Sequence, residues 1–210
     1  MTIRPHPRRV RGFSLIEILV AILIVVVGLL GLAGLQARAQ VAEFESYQRA
    51  QALVLLYDMV ERLHSTHITA PCFAVTSDVA NGTPYFGDGS SVTPACSSSN
   101  PTDNAIAVAS MTEWDTLLKG GAEKKGAAAT NVGAMIGARG CVSYNAATEY
   151  LNAATGVALA GTGEYTVAVS WQGMADTFTP TANCGNGLYG SETKRRTVWA
   201  TTRIGILAAQ

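Results

Sequence analysis

Arg11-Gly12-Phe13-Ser14-Leu15-Ile16-Glu17 opens a run that continues from Ile18 to Leu35 with no further charge. The 18 residues after Glu17 are all apolar or glycine. Coiled as a helix at about 1.5 Å per residue, residues 13–35 are long enough to span the roughly 30 Å hydrocarbon core of a bilayer. A carboxylate in such a segment costs about 2.5–3.5 kcal/mol at mid-bilayer and less near an end. We read Glu17 as a residue that meets a specific partner. The plainer reading is a glutamate that reaches back to the interface.

The flanks orient this segment. The first 12 residues carry Arg4, Arg8, Arg9 and Arg11 and no acid, whereas residues 36–50 carry Arg38 and Arg49 against Glu43 and Glu45. A basic excess on the N-terminal side keeps that end in the cytoplasm and exports the rest. Without the first 12 residues, 11 Lys and Arg face 15 Asp and Glu, a net charge of −4 where the whole chain has zero. The exported part is thus mildly acidic with no basic stripe, which argues against nucleic-acid binding. Ala37-Arg38-Ala39 has the small-x-small pattern of a secretory cleavage site and would release a soluble protein from Gln40. Against it, the apolar region exceeds the usual ~7–15 residues of such a peptide and contains Glu17.

The string Gly12-Phe13-Ser14-Leu15-Ile16-Glu17 resembles the leader junction of type IV pilins and type II secretion pseudopilins. The resemblance implies cleavage between Gly12 and Phe13 by a prepilin peptidase, and N-methylation of Phe13. It implies that Glu17 pairs with the N-terminal amine of a neighbouring subunit during assembly. An ammonium in a low-dielectric helix bundle is a partner that satisfies a buried carboxylate.

From Gln36 to Ser65 there is neither proline nor glycine, and good helix formers dominate. Val41, Phe44, Leu53, Leu56, Tyr57, Val60 and Leu63 recur at three- and four-residue steps and are expected on one face. Glu43, Arg49, Gln51, Asp58, Glu61 and Arg62 are expected opposite. The helix should run from 13 to 66, with Thr66–Ala70 as its exit and Pro71 as its stop. Gly28, Gly31 and Gly34 in the apolar part permit either close helix approach or a local bend. The expected organisation is a cleaved leader 1–12, a membrane and assembly helix 13–35, an amphipathic continuation 36–66, and an exported globular domain 72–210.

Charged residues make up only 14% of the chain, against about 25% in typical soluble proteins. Residues 81–102, rich in Gly, Ser, Pro and Asn, read as loop. A short helix follows, capped by Thr102 or Asp103, with Ile106, Trp114, Leu117 and Leu118 inward and Gly120-Gly121 at its end. Residues 121–139 read as a second loop. Cys141–Tyr144 reads as a short strand. Glu164–Trp171 alternates and sets Tyr165, Val167, Val169 and Trp171 on one face. In the β-branched stretch 195–206, Val198, Ala200, Thr202 and Ile204 share one face and Trp199 takes the other. With a turn over 148–162, these make an antiparallel meander of three or four strands, covered by the amphipathic half of the long helix. The fold class is α+β: a long N-terminal helix packed on a C-terminal antiparallel sheet, as pilin resemblance also implies.

Cys141-Val142-Ser143-Tyr144, then Tyr165 to Gly173, then Asn183-Cys184-Gly185, then Lys194 to Val198 resemble, in order, the PilV type of minor pilin. That resemblance implies a low-abundance subunit that primes pilus assembly or sits at the pilus tip, affecting adhesion and twitching motility. Its implied partners are the prepilin peptidase, other minor pilins, the major pilin and a tip adhesin. The implied location is the bacterial inner membrane, domain periplasmic, and then the pilus fibre.

Cys72, Cys96, Cys141 and Cys184 all lie in the exported part. An even count in an oxidising compartment reads as two disulfides with three possible pairings. We favour Cys72–Cys96, closing the Ser/Gly-rich loop, and Cys141–Cys184, tying a strand to a later loop. No pair has the C-x₂₋₄-C spacing of a metal site. His64 and His67 lack a third ligand and an H-E-x-x-H pattern, and His6 lies in the leader. Gly161-x-Gly163 lacks the remainder of a dinucleotide fingerprint and reads as a turn. Trp114, Trp171 and Trp199 could stack on sugar or a partner, but their positions read as core or interface. No cofactor, metal or enzyme activity is expected. A pseudopilin of a secretion or DNA-uptake system is the alternative, and an anchored or secreted periplasmic enzyme a more distant one.

Overall fold

Helix α1, Leu15–Ser65, is the first element, and a 3-10 turn over His67–Phe73 follows it and contains Pro71. The computed structural model describes residues 12–127, 130–133 and 135–205. Leader residues 1–11, with Arg4, His6, Arg8, Arg9 and Arg11, and Ile206 of the expected last strand lie outside the described residues. The chain divides into two units, Met1–Phe44 and Glu45–Gln210.

In the first unit nothing from Gly12 to Gln40 is buried. Helical structure is continuous through Gly28, Gly31 and Gly34, each of which faces open space.

In the second unit, the α1 residues from 45 to 65 bury Gln48, Ala52, Leu55, Leu56, Met59 and Leu63. These lie at one-, three- and four-residue steps and form a single stripe. The expected face contained Leu56 and Leu63 but also Tyr57, which is exposed. Tyr57 is one residue, or about 100° of rotation, past Leu56. The stripe follows Ala52 and Met59 instead.

Helix α2, Pro101–Leu118, is capped two to three residues earlier than expected: the Asn100 side chain accepts from the Asp103 amide at 2.9 Å, with Pro101 next. Proline tolerates the first helical position because no amide is needed there. Thr102 and Asp103 are therefore inside the helix. Its buried face is Ala107, Met111, Trp114 and Leu118, while Ile106 is half exposed. Trp114 Nε1 donates to the Leu55 carbonyl at 2.9 Å, and its ring meets Phe86 edge-on at 5.6 Å. Arg62 adds charged contacts to Glu113 at 2.9 Å and to Asp58 at 2.8 Å.

The main sheet is antiparallel in the order β1-β4-β5-β6: Phe86–Gly87, Ile136–Asn145, Glu164–Gln172 and Arg195–Arg203. A separate two-residue hairpin, β2 Lys124–Lys125 with β3 Thr130–Asn131, and the start of β4 occupy the segment expected to be loop. Strand β4 is ten residues long where a short Cys141–Tyr144 strand was expected. Its extra residues include Gly140, where a Cβ would sit 2.1 Å from the Trp114 ring. This glycine is the site where the indole lies against the strand.

Tyr165, Val167, Val169 and Trp171 face the α1–α2 core together with Val142 and Val198. The opposite face is not open throughout, as a helix-covered meander alone would leave it. Ala168 and Ser170 are buried beneath the segment that precedes β6. Tyr189 from that segment shares a 2.9 Å hydrogen bond with Ser170. Disulfides join Cys72 to Cys96 and Cys141 to Cys184.

Candidate functional site

Gly12, Phe13 and Ser14 precede the helix without regular structure. The Ser14 carbonyl accepts from the amides of Glu17 at 3.0 Å and Ile18 at 3.3 Å, so the first turn is anchored immediately after the Gly12–Phe13 bond. Gly12 has no heavy atom near its Cβ position, and Phe13 is 80% exposed. Among the described residues nothing crowds the peptide bond between them.

Glu17 is the acid of the first helical turn. A helix N-terminus carries about half a positive charge, which favours a carboxylate there and disfavours an added ammonium. Cleavage before Phe13 would place such an ammonium next to the helix start, where an anion is needed to compensate it. Behind Glu17, an 18-residue window of α1 has a mean hydropathy of 3.1 and no buried residue. This helix is long and apolar enough to cross a membrane.

The amphipathic start of the second unit holds a contact the sequence did not reveal. Glu45 Oε1 accepts from Arg196 Nη2 at 3.0 Å, the Met174 amide at 3.0 Å and the Ala175 amide at 3.1 Å. Burial by itself would push the carboxyl up. The Ala175 amide, the Arg196 charge and the Met174 amide outweigh it and hold Glu45 below its ordinary value. In the sequence Glu45 and Arg196 are 151 residues apart, each among other charges, with no local pattern linking them.

Other residues singled out in the sequence take structural places. His64 shares a 2.8 Å hydrogen bond with Thr202 across to β6. Among the described residues no group of three or more His, Cys, Asp or Glu is placed to hold a metal ion. The Gly161 and Gly163 amides both donate to the Tyr144 hydroxyl, at 2.9 and 3.0 Å, which fixes the turn before β5. Trp114 and Trp171 are buried, and Trp199 is exposed.

Residues 7–33 match the model of the prokaryotic N-terminal methylation motif. The N-terminus carries the prepilin-type signal. This supports a type IV pilin-like or pseudopilin subunit, processed by a prepilin peptidase and anchored by α1. No curated protein and no solved structure matches the chain. The matched segment contains Gly12, Phe13 and Glu17 and ends within the apolar half of α1.

Proposed function

We propose that this chain is a minor pilin, a low-abundance structural subunit that primes assembly of a type IV pilus or stands at its tip. The peptidase cuts between Gly12 and Phe13 and methylates the new amine. Residues 13–35 hold the subunit in the inner membrane, residues 36–66 continue the helix, and 72–210 form the periplasmic domain. On assembly, Glu17 accepts the Phe13 amine of a neighbouring subunit. The observation that carries the reading is Glu17, the lone charge of the exposed apolar stretch 13–35 and part of the matched methylation motif. A bilayer makes that carboxylate costly, and a packed helix bundle with an ammonium partner offsets the cost. The four cysteines of the second unit fit export to an oxidising compartment. The resemblance of the C-terminal segments to PilV-type minor pilins is what favours a pilus over a secretion system.

Intact-mass and N-terminal analysis of the protein from cell envelopes tests the processing: the mature chain should begin with methylated Phe13. A chain beginning at Gln40 would overturn it. Deleting the gene distinguishes the two systems: loss of surface pili supports the pilus reading. Normal pili with loss of an exported protein supports the pseudopilin.

A further inference from the structure

The sheet face turned away from α1 carries an uncharged groove built from distant parts of the chain. Antiparallel register sets Cys141, Ala168 and Trp199 in one cross-strand row and Ser143, Thr166 and Thr201 in the next. Residues two apart on a strand share a face, so both rows look the same way. Thr181–Cys184 forms one wall and Val79 with Gly82 the other, around a space of about 230 Å³.

The first wall is held in place twice. Cys184 is bonded to Cys141 in the floor. The buried Arg195 donates through Nη1 to the carbonyls of Ala182 and Cys184 and through Nη2 to that of Pro180, while its Nε meets Glu192 at 2.7 Å. With the carbonyls of 180, 182 and 184 taken by Arg195, the intervening Thr181 and Asn183 line the groove. Such a wall needs little ordering when a ligand arrives.

The lining contains no charged residue. The side chains of Ser143, Thr166, Thr181 and Asn183 make no hydrogen bond to any described residue, whereas Thr76 at the back is bonded to Pro84 and Val142. Beside these neutral donors and acceptors stands Trp199, 54% exposed, a flat apolar ring. One rigid indole next to four free hydroxyl or amide groups matches a molecule with an apolar face and a rim of hydroxyls. An anionic ligand would find no counter-charge in the groove. The volume lies just below the roughly 300 Å³ at which drug-sized sites begin, enough for a single ring. We propose that this groove binds an uncharged saccharide. One pyranose ring stacks on Trp199, and its hydroxyls bond to Ser143, Thr166, Thr181 and Asn183.

The test uses the full chain in detergent micelles and saturation-transfer NMR. Glucose, galactose, mannose, N-acetylglucosamine and the anionic N-acetylneuraminic acid are each presented alone. At least one neutral sugar should receive transfer, more strongly than the anionic one. Trp199→Ala, at an exposed position, should keep the fold and weaken binding about tenfold. Thr166→Val should weaken it less, and Tyr57→Ala on α1 should leave it unchanged. No transfer to any neutral sugar, or equal transfer after Trp199→Ala, would overturn the proposal. So would loss of partner-subunit capture by Trp199→Ala in a protein that binds no sugar, which would make the groove a protein contact.

Discussion

The apolar and amphipathic stretches of α1 are one helix with two surfaces. From Phe13 to Leu35 apolar side chains surround the helix and none is buried. From Gln48 to Leu63 a single stripe is buried, while Val54 and Tyr57 remain exposed. A helix that is apolar all round suits lipid or a bundle of like helices, whereas a striped helix suits one folded partner. The second half therefore finds its partner within its own chain, in Trp114, Phe73 and the β4–β5–β6 sheet. Among the described residues the first half has no buried side chain, the surface that suits lipid or like helices. In the first half the one charge is Glu17; the second half opens with the Glu45–Arg196 contact to β6.

Gly12→Val gives the sharpest test, because it alters only the junction before the first half. It should abolish maturation, leaving unprocessed precursor in the membrane on immunoblots, with the domain fold intact by circular dichroism. Normal processing would separate the matched motif from its expected chemistry. Glu17→Leu should have the next largest effect. Leucine makes the segment more apolar, so insertion and leader cleavage should persist. Cross-linking to partner pilins and the pilus count should fall. Equal capture by wild type and variant would leave Glu17 as a residue that merely reaches the interface. Minor subunits that enter first could depend on it less than the major one, so capture and piliation should be measured together.

A paired truncation separates the halves energetically. Leu56→Ala removes a buried side chain from the core and should cost about 2–5 kcal/mol of domain stability. Leu23→Ala, the same change on the exposed half, should alter domain stability by less than about 0.5 kcal/mol. Denaturant unfolding in detergent, followed by tryptophan fluorescence, reads both. Similar losses would show that the first half contributes to domain folding.

The long helix, strand β5 and the inward face of β6 were legible because they rest on local periodicity that burial then used. Other features depend on partners far away in sequence. Asn100 caps α2 with Pro101 at the first helical position, whereas a cap at Thr102 or Asp103 was expected. The length of β4 was hidden because its strand-like run is interrupted by small residues, and the Trp114 ring lying on Gly140 comes from a distant helix. The second covered face of the sheet was hidden because its cover has no periodicity and is held by Arg195. At the N-terminus the methylation motif was legible from residue order alone. The domain contacts of Glu45 were not, since three groups from two later segments converge on it.

Those contacts yield a smaller effect than Leu56→Ala, together with a pH signature. The Glu45 carboxyl is held below its ordinary value in the folded chain, with burial opposing and the Ala175 amide, Arg196 and the Met174 amide prevailing. A group depressed on folding contributes stability above its unfolded value, near pH 4–5, and loses that contribution as pH falls through the folded value. Glu45→Gln keeps an oxygen for the two amides but removes the charge facing Arg196. At neutral pH it should cost about 1 kcal/mol, at the low end for a charged hydrogen bond because the pair is partly in water. As the pH drops below about 4 the wild type should lose this advantage and the two unfolding curves should converge. Glu113 and Asp78 are also held low and titrate over the same acid range, so the readout is the difference between variant and wild type. A constant difference down to about pH 3 would show that Glu45 is held by packing and not by its charge. The contrast between Glu17 on the exposed half and a charge-paired Glu45 would then lose its second term.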